Sequence, residues 1–413
     1  MTPRRTFLRP ELVVILGGVS AALHVGKLSP ALPVLRESLQ VSLLEAGFLL
    51  SMVQLAGMVF GLVLGLGADG IGLRRSMLAG LLLLSGAGAA GGWAQDAGSL
   101  LALRALEGVG FLLVGLPAPG LVMRLVAPAK RQVAMGLWGA YMPFGTALAL
   151  LLGPWAVAHL GWPVWWWLMA ALSFVMAVWV WVGVPPDQVS PGAGPPMPHR
   201  AYPVAGAAVG WVSRLRRTLG ARGPWLVALS FAVYSGQWLA VIGFLPSVFV
   251  QGTSAGVWAA APLALVAAVN MLGNMASGRL LQRGIAAHVL IIAGFSAMAL
   301  GTFLAFVVLP GSGGAYLPGG VRYAGVLLFS MLGGMVPGTL FSLATVLAPD
   351  DSCVSTTVGW MQQLSACGQF VGPPLVGWVA SQAGDWRWTW LVTGCCAVVG
   401  MALAMQIARE VRR

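Results

Sequence analysis

Four ionisable side chains lie inside long apolar stretches of this sequence, in two pairs with the same spacing. His24 and Lys27 are three residues apart, and so are Arg104 and Glu107. Residues three apart share a face of a helix, so each pair predicts two ionisable groups side by side. An ionised group at the centre of a bilayer costs about 2.5–3.5 kcal/mol on insertion scales, which makes all four candidates for function.

Each of these groups has more than one interpretation. Lys27 either faces a central cavity and pairs with an anion, or extends to the outer headgroups, which a long basic side chain can reach. Arg104 either has a functional role or is neutralised by Glu107 on its own helix. Glu107 is the first candidate for a proton carrier. His24 is the second, because imidazole titrates near physiological pH, although a single histidine on a helix is also a common packing residue.

Neutral polar and aromatic side chains form a second set of candidates. They either line one wall of a binding site or join helices by hydrogen bonds, as polar side chains do in lipid. Together with the ionisable groups they give a candidate binding site of Lys27, His24, Arg104, Trp138, Tyr141, Tyr234, Gln237, Asn270, Gln362 and Gln363. Tryptophans near the ends of apolar stretches, among them Trp165 and Trp166, are interpreted as headgroup anchors.

The composition places these residues in a membrane protein. Of the 413 residues, 58% are hydrophobic and only 8% are charged, which is not typical of a soluble globular chain. A helix of about 20 apolar residues crosses the ~30 Å hydrocarbon core of a bilayer. We predict an all-α membrane protein with twelve transmembrane helices. Their starts are predicted near residues 11, 42, 76, 99, 134, 164, 224, 255, 286, 321, 353 and 386.

The net charge of +12 indicates orientation in the lipid bilayer rather than a nucleic-acid partner. With these spans, all but five of the 23 Lys and Arg residues fall on one side of the membrane. The exceptions are Lys27, Arg36, Arg104, Arg322 and Arg387. Since basic residues concentrate in cytoplasmic loops, we predict a multi-pass protein of the cytoplasmic (inner) membrane with both termini in the cytoplasm.

A segment rich in proline and glycine divides the chain. Residues 185–223 predict a cytoplasmic linker between a first six-helix half at 1–184 and a second at 224–413. Within the linker, residues 211–219 place tryptophan and leucine at helical spacing with arginines between them. This pattern predicts either a short helix on the inner leaflet or a plain solvated segment.

The turn after the second span carries a recognisable motif. Residues 65–75 read GLGADGIGLRR, a glycine-rich turn with one carboxylate and two guanidinium groups. Residues 100–110 read LLALRALEGVG. The second segment is similar to the L-x-x-x-R-x-x-x-G-x-G pattern of the major facilitator superfamily. The first resembles that family's G-x-L-A-D-R-x-G-R-R signature. The residues that carry the resemblance are Gly65, Ala68, Asp69, Gly72 and Arg74, with Arg75 directly after them, while Gly67 and Gly70 depart from the signature.

The resemblance implies a secondary transporter of two pseudo-symmetric six-helix halves, commonly monomeric, that moves a small molecule by alternating access. It also implies that Asp69 and the arginines of the turn form a cytoplasmic clasp against the start of span eleven, since anions are favoured at helix N-termini. Asp350 and Asp351 precede that helix, so we expect a weakened clasp. Residues 137–145, LWGAYMPFG, resemble the cyanate and nitroimidazole branch. No cofactor or metal is implied.

Three classes of function remain open. Lys27 and Arg104, with His24 when protonated, outnumber Glu107, so the leading hypothesis is a transporter of a small anionic solute, coupled to protons. The alternative is a proton-driven antiporter for drug or metabolite efflux, although the glycine-proline signature of many such antiporters is poorly met in span five. A membrane-embedded enzyme or sensor is disfavoured, because the four histidines are scattered and form no site with cysteine or aspartate.

Overall fold

A computed structural model describes residues 9–62, 72–127, 130–187, 211–249, 257–308 and 315–412 of the chain. Within these ranges the protein is almost entirely helical, apart from an isolated antiparallel bridge between Val308 and Tyr316. The described helices form twelve spans, which confirms the predicted all-α fold class. Each span begins within three residues of its predicted start.

The first half contains spans 1 to 6, and four of them are interrupted, span 2 by a tight turn at Met52–Gln54. Span 1 breaks at Lys27, where Pro30 lacks the N–H that a continuous helix would use. Spans 4 and 5 break near Pro117 and at Ala140. In chain order the helices are Pro10–Gly26 and Leu28–Ser38, Leu43–Leu62, Leu73–Gly91, Ala97–Gly115 and Ala118–Leu125, Arg131–Gly139 and Tyr141–Leu160, and Trp162–Gly183.

The second half contains spans 7 to 12 and is preceded by a short helix, Trp211–Gly220, here called the linker helix. Span 8 breaks at Val269 and span 10 at Gly334. The division of the chain at residues 185–223 stays a prediction, since residues 188–210 lie outside the described ranges. In chain order the spans are Arg222–Phe249, Val257–Ala268 and Asn270–Gln282, Ala287–Phe306, Gly319–Gly333 and Met335–Val346, Val354–Ala383, and Thr389–Val411.

Ten of the described helical stretches are long and apolar enough to cross a membrane by length and composition alone. Spans 3 and 11 are not among these ten stretches. Span 3 begins with Arg74 and Arg75, and span 11 carries Gln362, Gln363 and Gln369. Two of these glutamines bond to span 2 of the other half. Span 11 is therefore less apolar than those ten stretches because two of its polar side chains contact span 2 rather than lipid.

Spans 2 and 11 pack along their whole length and join the two halves. We call the end of the bundle that carries the linker helix the linker end, and the opposite end the far end. At the far end Gly47 lies against the backbone of Pro374, and further in Gly57 lies against Ala366. Small residues allow this close approach of two helices in lipid. We refer to this contact as the 2–11 seam.

Elsewhere the halves meet mainly at the far end. Phe244 and Ala240 of span 7 lie in one apolar cluster with Leu32 and Leu35 of span 1. The far part of span 5 packs on Val257–Ala268 of span 8. At the linker end of the described chain, the 2–11 seam is the main contact between the halves. The structure is therefore closed between its halves at the far end.

Candidate functional site

The break in span 1 is stabilised by side chains from two other spans. Arg104 Nη1 donates to the carbonyl of His24 at 2.6 Å, and Trp165 Nε1 donates to the carbonyl of Lys27 at 3.0 Å. A carbonyl without a partner is costly inside a membrane. Spans 4 and 6 thus satisfy the oxygens that the break leaves free, and hold Lys27 in place.

Glu107 is the centre of a buried group of four side chains. Its Oε1 accepts a hydrogen bond from Lys27 Nζ at 2.5 Å and lies 3.2 Å from His24 Nδ1, while its Oε2 accepts one from Arg104 Nη1 at 2.7 Å. Lys27 Nζ and His24 Nδ1 are also 3.2 Å apart. All four side chains are at most 1% exposed. We call this group the first-half charge cluster.

The charges in this cluster do not balance. With His24 counted as neutral, two cations share one carboxylate, and the sum is +1. Burying an ion costs several kcal/mol unless it is paired and hydrogen-bonded. One cation in the cluster is therefore held only in part by Glu107, and this excess positive charge is the main electrostatic feature of the first half.

Arg104 joins three spans. Besides Glu107 and the carbonyl of His24, it donates from Nε to the carbonyl of Leu49 at 3.2 Å. A tight turn of helix at Met52–Gln54 interrupts the regular pattern of span 2 just after this point. The remaining nitrogen, Nη2, is buried with no partner among the described residues. Arg104 thus links three spans by hydrogen bonds, while its Nη2 nitrogen remains free to donate to another group.

Spans 3 and 6 enclose the cluster from the other side. The ring of Trp166 lies 4.7 Å from Lys27 Nζ, close enough for a cation–π interaction. Gly88 of span 3 lies against the imidazole of His24 and the carboxylate of Glu107, where a larger residue would not fit. The cluster therefore lies inside the first half, enclosed by five of its spans.

A chain of hydroxyl groups extends from the cluster into span 6. Ser173 Oγ lies 2.9 Å from His24 Nε2 and 2.9 Å from Ser20 Oγ. These two serines are not among the predicted site residues. The available signal was slight: Ser173 is the single hydroxyl-bearing residue of span 6.

Two expectations about this region need correction. Lys27 neither faces a cavity between the halves in this conformation nor reaches the headgroups, because its side chain is fully buried against spans 4 and 6. Trp165 and Trp166 are not headgroup anchors, since they are 2% and 0% exposed and contact Lys27. The pairing of Arg104 with Glu107 on one helix is present as expected.

The second half buries a neutral group at its helix breaks, which we call the second-half neutral cluster. Asn270 Nδ2 donates to the hydroxyl of Tyr234 at 2.9 Å and to the carbonyl of Ser330 at 2.9 Å. Trp238 Nε1 donates to the hydroxyl of Ser330 at 3.3 Å. Asn270 begins the helix after the break of span 8, and these bonds tie spans 7, 8 and 10 together.

Glutamines bridge the halves along the 2–11 seam. Gln54 Nε2 donates to Gln369 Oε1 at 3.1 Å. Gln363 donates to the carbonyl of Met58 at 2.8 Å and accepts from the amide of Leu62 at 3.0 Å. Gln363 therefore serves as a contact between helices, one of the two roles the sequence left open, whereas Gln54 and Gln369 are absent from the predicted site.

The other predicted binding residues are dispersed. Gln237 donates to the carbonyl of Val233 on its own helix, and its Oε1 is buried without a partner in the described chain. Gln362 of span 11 is exposed. The rings of Trp138 and Tyr141 stack with centroids 4.2 Å apart on span 5. The structure does not bring these four side chains together.

The predicted clasp is described only in part, since Gly65 and Asp69 lie outside the described residues. Gly72 has a φ of +94°, which favours glycine, and precedes span 3. Asp187 accepts hydrogen bonds from the backbone amides of Arg74 and Arg75 at 3.1 and 3.2 Å, and Arg124 Nη1 donates to it at 3.0 Å. A carboxylate at this helix N-terminus is favourable.

Asp187 was missing from the sequence interpretation, although an acid just after two prolines at the end of a span was a visible signal. Asp350, expected to weaken the clasp, pairs instead with Arg217 of the linker helix at 3.2 Å. The Ser352 hydroxyl, and then Arg217, hold the pKa of Asp350 below its ordinary value. Among the described residues, no group of histidine, cysteine and acidic side chains is placed to hold a metal ion.

Comparisons with known proteins agree with this architecture. The family model described as Major Facilitator Superfamily matches residues 14–362. The Cyanate transport protein CynX of Escherichia coli (strain K12) is 24% identical over 416 residues, covering 96% of each chain. The Tetracenomycin C resistance and export protein of Streptomyces glaucescens is 27% identical over 151 residues, which is 37% of this chain and 28% of that protein.

A solved structure supports the fold independently. A bacterial homolog of the human lysosomal transporter Spinster, in an inward-facing and occupied conformation, superposes with a TM-score of 0.77. The alignment covers 99% of this chain and 98% of that one, at 16% sequence identity. This likeness concerns the arrangement of the helices.

Proposed function

Since the chain belongs to the Major Facilitator Superfamily, a family of transporters rather than enzymes, we propose that it moves a small anionic solute across the cytoplasmic membrane. Transport proceeds by alternating access between the two halves and is coupled to protons. The observation that carries this proposal is the first-half charge cluster, in which two buried cations share the single carboxylate of Glu107.

The excess positive charge favours an anion between the halves. Inside a protein the charge is weakly screened, so its potential extends into the adjoining region. At an effective dielectric constant of about 20, a unit charge about 10 Å away attracts an anion by roughly 1.7 kcal/mol. This is more than a tenfold gain in affinity. Lys27 and Arg104 thus select the sign of the solute without touching it.

The same cluster can bind and release one proton. Lys27, His24 and Glu107 lie within 3.2 Å of one another and share their protons. If one proton leaves, Arg104 and Glu107 remain as a balanced pair, so the cluster alternates between +1 and 0. An anion stabilises the protonated state, and by linkage the proton then raises affinity for the anion. Anion and proton are therefore carried in the same direction.

The relatives and the shape of the structure support this scheme. CynX is by name a transporter of cyanate, a small anion, and it aligns over 96% of this chain. The halves are closed at the far end and meet at the linker end mainly through the 2–11 seam. With both termini in the cytoplasm, as the basic residues predict, this is a conformation open toward the cytoplasm.

Uptake by proteoliposomes tests the proposal. Labelled cyanate and a panel of small monoanions are supplied with and without an inward proton gradient. We expect uptake to rise with the gradient, and Lys27→Met to lower it about tenfold or more, in line with the attraction estimated above. Lys130→Met is the matched control, because Lys130 is the only other lysine and is exposed at the linker end. Uptake indifferent to both the gradient and Lys27→Met would refute the mechanism.

Export of drugs or metabolites in exchange for protons is the second candidate. It is favoured by the likeness to the Tetracenomycin C resistance and export protein, although that likeness covers 37% of this chain. Susceptibility of cells with and without the gene to a panel of antibiotics separates the two candidates. A broad gain of resistance with no uptake of anions would favour export.

A further inference from the structure

The linker helix has one apolar face and one basic face. Trp211, Leu215 and Leu219, together with Val212, occupy one side of the helix at positions separated by three or four residues. Arg216 and Arg217 lie on the other side. A helix of this kind, with tryptophan and leucine on one face and arginine on the other, lies in the plane of a membrane surface.

This helix is fixed to the second half. Its residue Thr218 is fully buried against the protein, and its residue Arg217 pairs with Asp350 just before span 11. The thiol of Cys353 lies 3.8 Å from the carbonyl of Arg214. These contacts attach the helix to the linker end of span 11, so its orientation follows that of the second half.

Most of the remaining surface of the helix is exposed. Trp211 and Val212 are each 58% exposed. Trp225, at the start of span 7, continues this apolar surface and donates from Nε1 to the carbonyl of Leu219. Exposed apolar groups this large in a membrane protein are suited to the acyl boundary of the bilayer.

Two exposed arginines flank this apolar surface. Arg216 lies on the helix and Arg222 at the start of span 7, and neither has a side-chain partner among the described residues. Arg217, by contrast, is partly neutralised by Asp350. The free positive charge is therefore concentrated beside the apolar face, at the level where the headgroups of the linker-end leaflet lie.

We propose that the linker helix and the start of span 7 form a binding surface for an anionic phospholipid. Arg216 and Arg222 contact its phosphate, while Trp211, Val212 and Trp225 lie against its glycerol and acyl region. The chemistry is that of a basic amphipathic segment on an acidic membrane surface. Because Arg217 and Thr218 join this helix to span 11, bound lipid anchors the second half at the 2–11 seam.

Native mass spectrometry of the full-length protein tests this surface with phosphatidylglycerol and phosphatidylcholine as probes. Wild type should retain phosphatidylglycerol in preference to phosphatidylcholine. Loss of each free arginine should lower its occupancy ~fivefold, so R216Q/R222Q should remove most of it. The matched control is R279Q/R283Q, which removes two exposed arginines from the same end of the bundle.

Either of two results would overturn the proposal. One is equal loss of phosphatidylglycerol in R216Q/R222Q and in R279Q/R283Q, which would indicate an unspecific response to net charge. The other is equal retention of both lipids by wild type. Monodisperse elution and unchanged helical circular dichroism would show that each variant is folded, so a loss of lipid could be assigned to the surface itself.

Spin labels give a second measurement that does not depend on the arginines. In a background without the four native cysteines, Val212→Cys and Ser213→Cys place labels on the apolar face and on the polar side. In liposomes we expect the spin relaxation of the label at 212 to be enhanced mainly by oxygen, which concentrates in acyl chains. The relaxation of the label at 213 should be enhanced mainly by a water-soluble nickel complex. The same accessibility at both positions would contradict an in-plane helix.

Discussion

The two halves bury their polar groups in opposite ways. The first half buries Lys27, Arg104 and Glu107 with His24, all nearly inaccessible to solvent. The second half buries the second-half neutral cluster, and none of its described Lys, Arg, Asp or Glu side chains is buried. Both groups lie at breaks in their helices. Two halves with matching architecture thus carry different chemistry at comparable positions.

This contrast indicates which half can respond to charge. A buried ion changes its energy strongly with every proton or anion that comes near, because the interior screens weakly. A neutral hydrogen-bonded group changes little under the same conditions, provided that its partners stay in place. We infer that the first half responds to protons and anions. The second half keeps its hydrogen bonds unchanged while the first half moves relative to it.

We expect the greatest loss of stability from Glu107→Gln. This change leaves two buried cations without a carboxylate and should lower the free energy of unfolding by about 3–5 kcal/mol. Thermal unfolding in detergent, followed by circular dichroism, measures the loss. Adding Lys27→Met should recover part of the stability, because it removes one of the unpaired cations. A single variant as stable as wild type would show that the cluster is not charged as described.

Asn270→Leu should have the next largest effect. It leaves the hydroxyl of Tyr234 without its donor, while the carbonyl of Ser330 keeps the bond from the amide of Gly334. A buried group left without its partner costs about 1–3 kcal/mol. The loss should be the same at pH 5 and pH 8, since the groups involved are neutral. Leu272→Ala, at an exposed position of the same helix, is the control. A loss that depended on pH would contradict the distinction between a first half that responds to charge and a neutral second half.

A double-mutant cycle across the 2–11 seam should give a smaller effect. Gln54→Leu and Gln369→Leu each remove one partner of the bond between the halves. We expect a coupling energy of about 0.6 kcal/mol, the average for such bonds between membrane helices. Unfolding of both single variants and the double variant measures it. Strictly additive losses would show that this bond does not connect the halves energetically.

The smallest effect is expected at the surface, from Asp350→Asn. Ser352 and Arg217 lower the pKa of Asp350, so its stabilising contribution is present at neutral pH and disappears as the pH falls through that lowered value. Exposed ion pairs contribute about 0–1 kcal/mol. Wild type and variant should therefore differ slightly at pH 7, and the difference should shrink as the pH falls below the ordinary range of an aspartate. A difference that grew in acid would contradict the assignment.

Local features of the fold were predictable from the sequence. The twelve spans follow from runs of apolar residues, and the two ionisable pairs follow from a spacing of three on a helix. The contact between Lys27 and Glu107 was not predictable, because the residues are 80 positions apart and their faces meet only once spans 1 and 4 pack. Trp165 and Trp166 were misread for the same reason.

The parts of the site that were missed depend on packing rather than on pattern. Ser173 is one hydroxyl in an apolar helix, and its importance appears only beside His24. Asp187 lies 113 residues from Arg74, whose amide it binds. The break of span 8 at Val269 was not predicted, since no proline follows it within a turn. The break of span 10 did carry a signal, because Pro337 follows Gly334 at the same spacing as Pro30 follows Lys27.

The 2–11 seam has a mechanical consequence. Two helices that pack closely along their length can tilt against each other while they stay in contact near the middle. In the alternating-access cycle proposed above, the halves would tilt about an axis that crosses the seam in the plane of the membrane, because such an axis closes one end of the bundle as it opens the other. The displacement of any atom then grows in proportion to its distance from that axis, as along a lever arm. The two ends of the bundle would travel farthest, while Gln54 and Gln369, near the middle of the seam, would keep nearly the same neighbours throughout.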